Sequence, residues 1–199
     1  MIDSHLSEEQ RRQLQKGPRT VLAVRVIASN GAYSFTEAEL SNKVFGTSGD
    51  PVNLRSQYAA CSYNQLRLGA TPNRELLVNN ITNQTTDIVN GVMTVEINTA
   101  VSQEGWGIKA ARDATNSRDS MENAITSKIN TVFNVTSPQQ IADDVVYCLP
   151  DHGPAGFTAY AYVNSWNSVY SNKYCNYVSV QMHEVRLSWI WSAPIVFQI

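Results

Sequence analysis

The stretch TVLAVRVIAS, residues 20–29, decides how the rest of the chain is read. Its β-branched and aliphatic residues are bounded by Gly17-Pro18 on one side and Asn30-Gly31 on the other, so it reads as a strand buried on at least one face. A buried strand needs other strands beside it and cover above it. On its N-terminal side, residues 1–18 (MIDSHLSEEQRRQLQKGP) are rich in charge and show no periodic apolar face. They are expected to be a polar leader or propeptide remnant with partial helicity, and the folded domain is expected to start near Arg19.

On the C-terminal side two helices are expected. FTEAELSNKVFG (35–46) offers Thr36 as N-cap with Glu39 three residues later, Phe35 and Leu40 at the staple positions, and Gly46 to end the helix. In GDPVNLRSQYAACSYNQ, Pro51 stands at a first-turn position, and Val52, Leu54, Tyr58 and Cys61 supply the apolar face. LRLGA (66–70) and DIVNGVMTVEIN, with Asn90-Gly91 as a hairpin-type turn, read as strands, and NNITNQTT between them as a polar loop. From Ser117 to Phe133, Met121, Ile125, Ile129 and Val132 recur at helical steps, giving a longer amphipathic helix that covers a sheet.

ADDVVYCLP reads as a core strand closing at Pro150, and GFTAYAYVNSW as an alternating strand. YCNYVSVQMHE is expected to begin a further helix, with Tyr177, Val180 and Glu184 at helical spacing. Strands and helices interleave without internal repeats, so the class is α/β (α+β) in one domain.

Composition narrows the function classes. The chain has 199 residues, 43% of them hydrophobic, which suits one domain with a real core. Lys and Arg number 15 against 17 Asp and Glu, a near-neutral balance that gives no basic patch to steer the chain to nucleic acid or an anionic membrane. No run approaches the roughly 18 apolar residues of a membrane-spanning helix, and the N-terminus lacks the apolar core of a signal peptide. Sequons at Asn80, Asn83 and Asn134 pull towards export. Cys61, Cys148 and Cys175 permit one intramolecular disulfide and a leftover thiol, with pairing and compartment both open.

Three segments together carry a family resemblance: VNLRSQYAACSYNQLRL, DDVVYCLP and FTAYAYVNSWNSVYSNKYCNYVSVQMHE. They resemble the gametolysin (autolysin-type) zinc metallopeptidases of green algae and other microalgae, over about Thr20 to Glu184. AYAYVNSWNSVYSNKYCNYVSVQMHE is the most specific part. The resemblance implies a metzincin-like zincin N-terminal subdomain, a mixed sheet with helices and an active-site helix near the C-terminus. It further implies a secreted zinc endopeptidase acting on polypeptide or glycoprotein substrates of a cell wall or extracellular matrix.

In metzincins H-E-x-x-H-x-x-G-x-x-H supplies three zinc-binding histidines, with the glutamate as general base and a methionine turn downstream. Carried over, His183 matches the first zinc ligand and Glu184 the catalytic base, and nothing else matches. Where the pattern wants the second histidine, the glycine and the third histidine, this chain has Leu187, Ile190 and Ala193. Residues i and i+4 share one helix face, which is why the motif puts two imidazoles on one metal, and leucine cannot ligate. His5 and His152 are the only other histidines, and nothing in the spacing of Asp143, Asp144 or Asp151 directs a carboxylate towards His183.

A full structural zinc site contributes about 10–16 kcal/mol, and one histidine supplies a small part of that, so tight Zn2+ binding is not expected. The domain reading is therefore 19–184 as an incomplete gametolysin-like domain, followed by a non-family apolar tail, 185–199. As a hypothesis the tail is the read-through of an intron, since Val185-Arg186 can be encoded by GTAAGA or GTGAGG, which resemble the usual start of one. A gene without a donor-like sequence at codon 185 sinks it; a frameshift or a genuine variant is the rival. Functionally, an inactive peptidase domain stands beside a pseudo-protease that binds polypeptides, with Tyr160, Tyr162, Trp166 and Tyr170 as candidate contacts, and beside a structural domain without a site.

Overall fold

A computed structural model of the chain describes residues 17–74, 87–101, 117–150, 159–161 and 165–171. Its organising element is β1 (Gly17–Ala28), the buried run of the sequence extended by three residues at its start. Residues Val21, Leu22, Ala23 and Val24 are all fully buried, so the strand is covered on both faces and not on one alone. Gly17 and Pro18, expected to stop the strand, are its first two residues. A strand's first positions tolerate proline, and the Gly17 amide donates to the Gln65 carbonyl at 2.6 Å.

The strands after it are β2 (Gly31–Ala32), β3 (Leu66–Ala70), β4 (Val92–Glu96), β5 (Asp144–Leu149), β6 (Ala159–Ala161) and β7 (Asn167–Ser171). They form one mixed sheet with the path β2-β1-β5-β7-β6, and β3 and β4 also pair with β1. β3 runs parallel to the first half of β1 and β4 parallel to its second half. Because Val21 pairs with both Ala70 and Asp144, and Ala23 with both Val92 and Val146, β3 and β4 occupy one edge of β1 and β5 the other. β7 continues parallel on β5, and β6 turns back antiparallel on β7.

Among the described residues, three α-helices cover the sheet. α1 (Glu37–Phe45) has the start and stop expected from its sequence: Thr36 and Glu39 complete a capping box, and Gly46 ends the helix at φ 73° with its amide on the Asn42 carbonyl. α2 spans Leu54–Cys61, later than Pro51 suggested. Asn53 accepts from the Ser56 amide while the Ser56 hydroxyl accepts from the Asn53 amide, and this reciprocal cap sets the start. Val52, expected on the apolar face, thus precedes the helix and is 63% exposed. α3 (Ser117–Phe133) buries Met121, Ile125 and Ile129 as its spacing predicts, with Val132 half-buried.

The layers are therefore α1 and α2 on one face and α3 on the other. Val21, Ala23, Val146 and Cys148 pack with Leu40, Val44, Leu54 and Tyr58. Leu22, Val24, Val145 and Tyr147 pack with Met121, Ile125 and Ile129. Successive buried residues of β1 and β5 alternate between the two cores with the two-residue period of a strand, which is how one sequence run serves both. The overall class is mixed α/β, as expected.

The Asn90-Gly91 turn is present, with both residues at positive φ (50° and 76°) as a type I′ turn requires. Only its second arm is a strand. On the other side, Ile88 and Val89 make single bridges, to Arg74 and Val92. Among the described residues, no helix is long and apolar enough to cross a membrane.

Candidate functional site

The two residues that the motif singles out, His183 and Glu184, lie outside the described residues, as do His5, Asp151, His152 and Tyr162. The expected helix from Tyr174 and the loop NNITNQTT lie outside them as well. What can be built is the part of the sheet from which the chain proceeds towards His183. That part is β5, β7 and β6, with the helix α3 behind them.

A buried polar cluster fixes the start of β7. Asn167, 9% exposed, donates from Nδ2 to Oε2 of Glu122 on α3 at 2.9 Å, and Ser165 Oγ donates to Asn167 Oδ1 at 2.5 Å. The Val145 amide donates to the Trp166 carbonyl at 2.8 Å. Trp166 also meets Tyr147 edge to face, with centroids 6.3 Å apart, and the Tyr147 hydroxyl pairs with Thr126 Oγ1 at 2.9 Å. Burial pushes the Tyr147 phenol well above its usual range, so it stays protonated and serves as a hydrogen-bonding strut. These contacts tie β7 to β5 and α3 at once, because a buried carboxylate and amide must satisfy each other.

Two of the candidate contact aromatics are corrected by this geometry. Tyr170 is 2% exposed and belongs to the core shared with α1 and α2, and Trp166 is half-buried against the core shared with α3. Both pack the sheet, Tyr170 fully and Trp166 in part. Sequence reasoning also missed β7 itself: NSVYS holds one β-branched aliphatic, and the cue would have been the paired partner β5, which no local pattern reveals.

The carboxylates that could have completed a metal site are committed elsewhere. Arg19 grips Asp144, Nε to Oδ2 at 2.8 Å and Nη2 to Oδ1 at 3.2 Å, while Asp143 accepts from the Thr20 amide and hydroxyl at 2.8 and 3.0 Å. Both stand where β5 begins. Among the described residues, no group of three or more His, Cys, Asp or Glu side chains gathers to hold a metal ion. Cys148, fully buried in β5, is disulfide-bonded, and the sequence leaves Cys61 or Cys175 as its partner.

Compared with protein-family models, with curated proteins and with solved structures, the chain matches none. The functional reading therefore rests on the residues and their arrangement.

Proposed function

We propose that the chain is a gametolysin-like metallopeptidase domain whose zinc centre is incomplete, so that it lacks the hydrolytic activity of the enzymes it resembles. The observation that carries this reading lies in the sequence AYAYVNSWNSVYSNKYCNYVSVQMHE, its most family-like stretch. The described part of that stretch is the antiparallel β6 and its neighbour β7, joined through β5 to a mixed sheet. Such a sheet, followed by a segment that ends in His183-Glu184, suits the metzincin-like subdomain that the resemblance implies. The residues present do not fit a catalytic zinc ion: the motif offers one histidine, and Asp143 and Asp144 are engaged by Thr20 and Arg19. Without a metal-activated water, Glu184 has no proton to take.

A second reading, a pseudo-protease that holds extended polypeptides, is favoured by one feature. β6 ends the strand path, so among the described residues one of its edges carries no partner strand. A polypeptide can add to such an edge through main-chain hydrogen bonds. Export, also part of the proposal, is supported by the disulfide at Cys148, since such bonds persist in oxidising compartments. The exposed sequon residue Asn134 at the end of α3 suits the same location.

The test is to assay the purified full-length chain with added zinc against a fluorogenic protein substrate, beside Glu184→Gln and His183→Ala. The expected outcome is no turnover above the variants, with anisotropy showing saturable binding of an extended labelled peptide. Zinc-dependent cleavage lost in Glu184→Gln overturns the inactivity. Absence of peptide binding removes the second reading. Sequencing transcripts across the Glu184 codon then shows whether a spliced form encodes the missing histidines.

A further inference from the structure

On the opposite side of β1 from β5, β7 and β6, an open cleft of about 670 Å³ lies between α2 and β3. It is lined by Pro18, Arg19, Arg55, Ala59, Arg67 and Leu68 among others. We propose that this cleft binds a small ligand bearing an oxyanion, a carboxylate, sulfate or phosphate, through the guanidinium groups of Arg55 and Arg67. The inference does not depend on the peptidase reading, because none of its residues belongs to the motif around His183.

Three of the six arginines among the described residues border this one cleft. Arg19 is held by Asp144, and outside the cleft Arg25 donates to the Phe35 and Tyr33 carbonyls at 2.6 and 3.0 Å. Arg55 and Arg67 are exposed, and their side chains make no hydrogen bond or ion pair among the described residues. The carboxylates close to the cleft are already used, Asp144 on Arg19 and Asp143 on Thr20. Those of α1 are used too, Glu37 on Thr94 and Glu39 on Thr36. Two guanidinium groups therefore line one concavity without an ion-pair partner among the described residues.

The chemistry of the lining selects the ligand class. A guanidinium presents a planar fork of donors that matches the oxygens of a carboxylate, sulfate or phosphate, and two forks on different elements can hold one such group from two sides. Asn64, at φ 60° in the turn between α2 and β3, adds an exposed amide to the lining. Pro18, Ala59 and Leu68 supply apolar surface for the ligand's carbon frame, and Gly69 keeps the wall low, since a Cβ there would meet nothing closer than the Arg19 carbonyl at 3.9 Å.

The experiment is a titration of the full-length chain, followed through the arginine Nε–Hε resonances. Sodium sulfate, sodium phosphate and sodium glucuronate are added in separate series, with ionic strength held constant by sodium chloride. The expected result is a saturable shift of the Arg55 and Arg67 signals with at least one of the three anions, and no shift of the exposed Arg74. In Arg55→Ala/Arg67→Ala the affinity should fall by about tenfold or more, as loss of a charge-assisted hydrogen bond requires. Arg55→Lys/Arg67→Lys, which keeps the charge but loses the fork, should fall in between. The order among the three anions identifies the source of the oxyanion. Shifts that grow linearly without saturating, equal shifts at Arg74, or undiminished affinity in the double alanine variant would each overturn the proposal.

Discussion

Gly91→Ala is expected to be among the most damaging single-methyl additions in this protein, and the size of the effect follows from two separate costs. Gly91 holds φ at 76°, a conformation that costs an L-residue about 1 kcal/mol or more. A Cβ built there would lie 2.5 Å from Phe45 Cε2 and 2.8 Å from the Ala70 Cβ. Phe45 is 6% exposed at the end of α1, and Ala70 is fixed in β3, so neither neighbour has room to retreat. Overpacking of this kind costs about 1–3 kcal/mol. The backbone cannot relax freely either, because the Gly91 carbonyl accepts from the Ala23 amide in the central strand at 2.9 Å. Together the terms give about 2–4 kcal/mol, a large share of the 5–15 kcal/mol typical of a domain. With a urea slope of about 2 kcal/mol per molar the unfolding midpoint should drop by about 1–2 M. Asn90→Ala is the comparison: Asn90 is already an L-residue at positive φ, 50°, and is exposed, so the change should cost less than the first term alone and carry no packing cost. Equal midpoints for the two variants would refute the close-packing half of the reasoning, and a Gly91→Ala midpoint within error of the parent would refute both halves.

Three further outcomes are expected. Tyr33→Phe should be neutral or stabilising by up to about 1 kcal/mol, because the buried Tyr33 hydroxyl has no hydrogen-bond partner among the described residues; a loss of stability in urea melts would show an unseen partner. Asp144→Asn should destabilise by about 1–3 kcal/mol, because the half-buried Arg19 loses its ion pair but keeps the Asp143 carbonyl at 3.3 Å, whereas Arg19→Met/Asp144→Leu should recover most of the loss; a double variant no better than the single would contradict this. The Glu39 carboxyl is held below its usual 4.5 by the backbone amide and then the hydroxyl of Thr36. Its stabilising effect is therefore complete above about pH 4.5 and lost as pH falls through the lowered value. Glu39→Gln should remove that acid-side slope, and parallel midpoint-against-pH curves for parent and variant would show that it contributes nothing.

What could be read from the sequence follows from where the information is stored. α1 was legible to the residue because its signals, Thr36, Glu39 and Gly46, are local and act through backbone geometry. β1, β5 and α3 were legible through apolar periodicity. α2 was placed too early because Pro51 and the Asn53–Ser56 cap compete, and a reciprocal pair of hydrogen bonds outweighs a favourable first-turn residue. β7 escaped because its strand character comes from tertiary context: Asn167 and Ser168 are buried only because Glu122 and β5 stand beside them. The motif at His183-Glu184 and its departure at Leu187 are readings of the sequence alone, because these residues lie outside the described ones. The arginine pair across the cleft was not legible, since Arg55 and Arg67 are twelve positions apart and only the packing of α2 on β3 brings them to one concavity.

Both faces of β1 are covered by elements well before His183 in the chain: α1 and α2 pack on Val21 and Ala23, and α3 packs on Leu22 and Val24. The Arg19–Asp144 pair and the Asn167–Glu122 bond then lock β1 to β5 and β7 to α3. The disulfide at Cys148 adds a covalent constraint on the unfolded chain, worth about 2–4 kcal/mol in the usual range. A change after Glu184 can thus remove the metal chemistry while leaving the forces that hold the described sheet together. Under the proposed function, that separation leaves the edge of β6 and the cleft beside β3 as the candidate binding features among the described residues.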